Sequence, residues 1–85
     1  MKALVLPVRD SMEVEIYGAV NCGFCEAAKS LATDIECQYR YYDITEAPGE
    51  FSSLFPGAKT VPQIIVDGEW IGGYQDFVSY VAGLE

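Results

Sequence analysis

Apolar and polar residues alternate through Glu13–Tyr17, "EVEIY", with the period of two expected of a strand. From Cys25 the period changes. Cys25, Ala28, Leu31, Ala32 and Ile35 recur at helical spacing, which predicts a helix over about 23–34 with Cys22 at its N-terminus. "QYRYYDI", residues 38–44, is rich in aromatics and reads as a second strand. "APGEFSSLFPG", residues 47–57, begins and ends on turn signals around a short helix. "QIIV" (63–66) and "EWIG" (69–72) flank Asp67-Gly68, a pair suited to a two-residue hairpin turn because both positions need positive φ. From Tyr74, the residues Phe77, Val78, Val81 and Leu84 fall on one face of a closing helix.

The order is βαβαββα. Two strands joined by a helix suggest a parallel pair with a right-handed crossover. The hairpin adds two antiparallel strands. The expected architecture is an α/β domain, a four-stranded mixed sheet with helices on both faces.

The chain has 85 residues, enough for one domain with a modest core. No stretch approaches the ~20 apolar residues of a membrane span. The opening "MKALVLPVRD" is too short for a signal-peptide core and no small-residue cleavage site follows it, so the expected location is cytoplasmic. Thirteen acidic residues against five basic ones give a net charge of −8. With no basic patch, phosphate-mediated nucleic-acid binding is excluded as a reading. The acidic surface suits a partner protein with a basic face.

Three cysteines and no histidine narrow the chemistry. The odd count argues against a closed disulfide framework. Without histidine there is no Cys–His nucleophile and no mixed Cys/His zinc site. An all-cysteine site would need a second pair, and Cys37 stands alone. Cys22 and Cys25, separated by Gly23 and Phe24, must serve another purpose. At a helix N-terminus, unpaired N–H groups and the positive end of the dipole favour a thiolate at Cys22. Its pKa then falls below the free value of about 8.5. Cys25, within one turn, can attack the mixed disulfide that Cys22 forms. The pair has the parts of a dithiol–disulfide exchange centre. Cys37, between helix and strand, reads as a packed or half-exposed thiol; Tyr39, Tyr41, Tyr42 and Trp70 read as packing.

Four pieces, "IYGAVNCGFC" (16–25), "YYDI" (41–44), "TVPQIIVDG" (60–68) and "IGGYQDF" (71–77), stand in the order and at the separations found in glutaredoxins. The chain resembles that family over residues 12–85, and its small phage members in particular. Residues 1–11 form an extension of unclear role: either the natural start is Met12 or "ALVLPV" adds an edge strand.

The resemblance implies a thioredoxin-like fold, Cys22 as nucleophile and Cys25 as resolving thiol. It implies glutathione as co-substrate, with Lys59, Thr60, Val61, Pro62, Gly73, Tyr74, Gln75 and Asp76 holding it, and with Tyr17 and Phe24 bordering the site. Pro62 would be cis, turning the Val61 N–H and C=O toward Cys22. The first turn of the last helix would take the γ-glutamyl carboxylate and Asp76 the ammonium. Expected clients are disulfide-containing proteins, ribonucleotide reductase among them, reduced by a monomer with no tightly bound cofactor.

Three positions depart from the family pattern. Ala19 stands where a lysine is usual, Gln75 where aspartate is frequent, and Gly23 where proline is common. The first two weaken the expectation of strong glutathione contact. The "CGF" run resembles monothiol members that carry an iron–sulfur cluster. The rival reading is therefore a 2Fe–2S carrier with Cys22 as its ligand. A second rival is a thioredoxin-like carrier recharged by a flavoprotein reductase.

Overall fold

The alternation of Glu13–Tyr17 becomes an interior strand, β1 (Glu13–Gly18), in the computed structural model of the chain, which describes residues 12–84. The proposed extension 1–11 and its edge strand lie outside the described residues. Helix α1 spans Gly23–Asp34 and returns the chain to β2 (Gln38–Asp43), which runs parallel to β1 with Tyr17 opposite Tyr42. A 3₁₀ turn at Ile44–Glu46 leads into α2 (Pro48–Leu54). Strands β3 (Gln63–Val66) and β4 (Glu69–Gly72) form the hairpin, and α3 (Tyr74–Gly83) closes the fold. The sheet order is β2-β1-β3-β4, with β3 antiparallel to both its neighbours. The βαβαββα order and mixed sheet expected from the pattern are therefore present.

Local chemistry sets the boundaries. The second strand stops at Asp43, one residue earlier than its aromatic run suggests, because the Asp43 carboxylate accepts from both the N–H (2.9 Å) and the hydroxyl (2.7 Å) of Thr45. That cap turns Ile44 into the 3₁₀ segment. Pro48 occupies the first turn of α2, where a missing N–H costs nothing. Asp67 and Gly68 both adopt positive φ, +50° and +86°, as the hairpin turn requires. The Asp67 carboxylate accepts the Glu13 N–H at 3.0 Å and ties this turn to the start of β1.

The two faces of the sheet are packed differently. On one, Val14, Ile16, Ile64 and Val66 meet Ala28, Ala32 and Ile35 from the α1 region and Phe77 and Val81 of α3. Each large apolar side chain buried this way contributes about 1.5–3 kcal/mol. Phe77, Val81 and Leu84 form the inward stripe of the last helix, whereas Val78, expected among them, is 37% exposed. One residue past Phe77 it is turned ~100° around the helix, away from the core. On the other face, Phe55 is fully buried edge-on to Tyr17 (5.0 Å) and to Trp70 (5.2 Å), and Tyr17 stacks on Tyr42 at 4.7 Å. Tyr42 and Trp70 thus make the ring contacts expected of packing residues although both are as exposed as Tyr39 or more so, and Tyr41 packs against the core.

Gly18, the last residue of β1, has no room for a side chain because two other groups fill that space. A Cβ on this residue would lie 2.5 Å from the Tyr41 hydroxyl and 2.7 Å from the Cys25 sulfur. Gly18→Ala is expected to destabilise the protein by about 1–3 kcal/mol, the cost of overpacking. Urea unfolding measures it, and a variant as stable as the parent would show that these contacts have room to yield.

Tyr17 gives a second expectation. Its phenol is raised to about 12, first by burial and then by the hydrogen bond it donates to Glu15 at 3.0 Å. The unfolded chain ionises tyrosine near 10. The stability contributed by protonated Tyr17 is therefore complete below about pH 10 and lost as pH rises toward 12. Urea midpoints of the oxidised protein at pH 9 and 11 should fall further for the parent than for Tyr17→Phe. Equal falls would place the alkaline sensitivity elsewhere.

Candidate active site

A helix leaves its first N–H groups without internal partners, and at α1 a sulfur meets one of them. Cys22 is the N-cap, with extended backbone angles, and its Sγ accepts the Cys25 N–H at 3.1 Å. Asn21, with φ +56°, turns the chain from the sheet into this cap. Asparagine tolerates that left-handed conformation better than most residues. Cys25 lies one turn inside the helix, and the two sulfurs are joined as a disulfide with Cα atoms 5.2 Å apart. The two positions differ in access: Cys22 is half-buried, whereas Cys25 has no exposed surface. On reduction, the capping N–H and the helix's positive end favour an anionic sulfur at Cys22.

The Cys25 sulfur is enclosed from the β1 side. Gly18 leaves the space into which both it and the Tyr41 hydroxyl project. That hydroxyl donates to the Ala19 carbonyl at 2.9 Å and so holds the loop leading to Cys22. Burial raises the Tyr41 phenol and keeps it protonated. Lys29 lies 4.3 Å above the Tyr41 ring and pairs with Glu26 at 3.0 Å.

A cleft of about 490 Å³ opens beside Phe24, two residues after Cys22. It is lined by Thr60, Val61 and Pro62 on one side and by Gly73, Tyr74, Gln75 and Asp76 on the other. Seven of the eight positions nominated for glutathione therefore meet in one place. The eighth, Lys59, is exposed and does not line the cleft. The Val61–Pro62 bond is cis, as the family resemblance implied. Phe24 is 59% exposed and stacks on Tyr74 with centroids 5.8 Å apart, forming an apolar lip. Tyr17, nominated as the other border, lies in the aromatic cluster on the α2 face of the sheet and does not line the cleft. Strand alternation turns Tyr17 away from its neighbour Ile16, and Tyr42 and Phe55 then take up its ring.

The carboxylate of Asp76 accepts the Gly73 N–H at 2.9 Å and caps α3. Gly72, with φ +120°, gives it room, because a Cβ there would collide with that carboxylate. Gly72 and Gln63 also line the cleft and were not singled out from the sequence. The signal for Gln63 was a lone polar residue between Pro62 and a run of core positions; it is only 6% exposed. Cys37 has no part in the site. Its thiol points at the Ala32 carbonyl at 3.5 Å, and burial raises its pKa. Among the described residues no group of three or more cysteine or acidic side chains is placed to hold a metal ion. No helix among them is long and apolar enough to cross a membrane.

Comparison with known proteins agrees with this geometry. The Glutaredoxin family model matches residues 14–71. Glutaredoxin 1 of Escherichia coli is 38% identical over 79 residues, covering 82% of this chain and 93% of that protein. A glutaredoxin of Vibrio cholerae is 37% identical over 79 residues, covering 81% and 90%. The solved structure of reduced Escherichia coli glutaredoxin superposes with a TM-score of 0.73 at 34% identity, covering 84% of this chain and 94% of that one. A cysteine pair capping a helix beside a cis-proline cleft, in a chain matched this closely over most of its length, is a redox centre: the chain belongs to the glutaredoxin family and is a thiol–disulfide oxidoreductase.

Proposed function

We propose that the chain is a dithiol glutaredoxin that takes electrons from glutathione and passes them to protein disulfides and glutathione mixed disulfides. The observation that carries this reading is the asymmetry of the pair, a half-buried Cys22 at the helix cap and a buried Cys25 behind it, beside the cleft. The Cys22 thiolate attacks a client disulfide, forming one mixed disulfide and releasing one thiolate. Cys25 then attacks Cys22, the internal disulfide forms, and the second client thiolate leaves with a proton. Two glutathione molecules reverse the oxidation and depart as glutathione disulfide.

In this proposal Val61 pairs through its backbone with the bound tripeptide, as an added strand would. Thr60 and Pro62 shape that edge, and Lys59 reaches over it to the glycine carboxylate. The first turn of α3, at Gly73, Tyr74 and Gln75, receives the γ-glutamyl carboxylate. Asp76 uses one oxygen as a cap and the other for the ammonium. Clients are disulfide proteins of the cytoplasm, ribonucleotide reductase among the candidates. The Cys22–Cys25 bond supports exchange over the iron–sulfur carrier, because closing it removes the thiolate that iron would need.

Cys22→Ser should abolish all exchange. Cys25→Ser should retain reduction of glutathione mixed disulfides, since free glutathione can resolve that intermediate. It should lose about a hundredfold or more in reducing protein disulfides, where an intramolecular attack is replaced by a bimolecular one. Equal loss in both assays would refute this division of labour.

Coupled assays decide the electron source. Turnover with glutathione and glutathione reductase, and little with thioredoxin reductase, is the expected result. The reverse pattern would assign the chain to the thioredoxin-like reading that Ala19 and Gln75 keep in view.

A further inference from the structure

We infer that Gln63 and Trp70 form a positioning relay that fixes the direction of the Val61 N–H in the cleft. The inference rests on the proposed role of Val61 as the edge that receives a bound thiol peptide. Gln63 is the first residue of β3 and a buried polar side chain in the cleft wall. Its amide nitrogen donates to the Thr60 carbonyl at 3.0 Å, and its amide oxygen accepts the Trp70 indole N–H at 2.8 Å. An indole nitrogen can only donate. It therefore dictates which end of the Gln63 amide is oxygen, and the NH₂ end must face Thr60. Trp70 is held in turn, edge-on, by the fully buried Phe55.

The Thr60 carbonyl and the Val61 N–H belong to one planar peptide unit. The Thr60–Val61 bond is trans, since Val61–Pro62 is the cis bond among the described residues. In a trans unit the C=O and N–H point in opposite directions. Anchoring the carbonyl on Gln63 therefore aims the Val61 N–H away from the protein interior, as capture of a peptide carbonyl requires. Without the anchor this unit can rotate, and the orientation has to be recovered during binding at an entropic cost. Gln63 and Trp70 are thus positioning residues on the α2 side of the sheet, distinct from the helix cap that activates Cys22.

Two variants and a glutathionylated peptide substrate test this. Gln63→Met keeps volume and removes both hydrogen bonds. Trp70→Phe keeps a ring against Phe55 and removes the indole donor. Gln63→Met should raise KM about fivefold, equivalent to about 1 kcal/mol for one hydrogen bond, with kcat unchanged. Trp70→Phe should raise KM by a smaller factor. Alkylation of Cys22 by iodoacetamide, which reads the thiolate and not the loop, should proceed at the parent rate in both. An unchanged KM, or a slowed alkylation that tracks the loss of activity, overturns the relay.

Trp70 is the sole tryptophan of the chain, which supplies a measurement independent of whether Gln63→Met folds. In Cys25→Ser, loading glutathione onto Cys22 should change the Trp70 emission, because its hydrogen-bond partner lies in the cleft wall. Unchanged emission counts against the relay. If the parent chain cannot reduce the glutathionylated peptide, the glutathione reading fails by itself. The relay is then decided by KM for a peptide disulfide with dithiothreitol as reductant: a rise in Gln63→Met sustains it and no rise overturns it.

Discussion

The hydrogen bond from the Cys25 N–H to the Cys22 sulfur is the interaction on which the rest of the site depends. It is an ordinary helix cap in every respect except the acceptor. An oxygen there would end the story at helix stability. A sulfur in that place gains a local environment that favours negative charge, and the pitch of the same helix brings a second cysteine to it one turn later. Capping and redox chemistry are one arrangement. Everything nearby keeps Cys22 within reach of a partner and Cys25 out of reach: the left-handed Asn21, the bare Gly18, the Tyr41 hydroxyl on the Ala19 carbonyl.

The sheet divides its labour between faces. The α1 and α3 face is aliphatic and carries the continuous core. The α2 face is built from rings, and its hydrogen bonds run through Trp70 and Gln63 to the loop before Pro62. Aliphatic packing locates the helix that bears the thiols, and the polar and aromatic packing locates the loop before Pro62. The cleft lies where the two meet, between the Pro62 loop and the first turn of α3.

The absence of lysine at position 19 is answered differently here. Lys29, one turn along α1 from Cys25, is engaged by Glu26 and the Tyr41 ring. The helix terminus beside Cys22 offers the sulfur an N–H donor, the feature of this site that favours negative charge there.

Element type and order were legible in the sequence because β1, α1 and α3 each showed a single period, aromatics and turn signals marked β2 and α2, and the Asp67-Gly68 pair marked the hairpin turn chemically. The redox pair was legible because spacing, a helix start and the lack of histidine left few alternatives. The identity of the cleft residues came from the family motifs, and the fold brought seven of the eight together. Three things were decided by tertiary structure. Val78 is apolar but turned off the buried stripe, and helical spacing alone could not say where that stripe ended. Tyr17 adjoins the reactive loop in sequence, yet its ring is taken up by the aromatic cluster on the α2 face, where it meets residues 25 and 38 positions away. Gln63 looked like an interruption in an apolar strand until Trp70, seven residues on, and Thr60 were seen at its two ends. Periodicity reports which way a residue points along its own element. It cannot report what another element brings to that place.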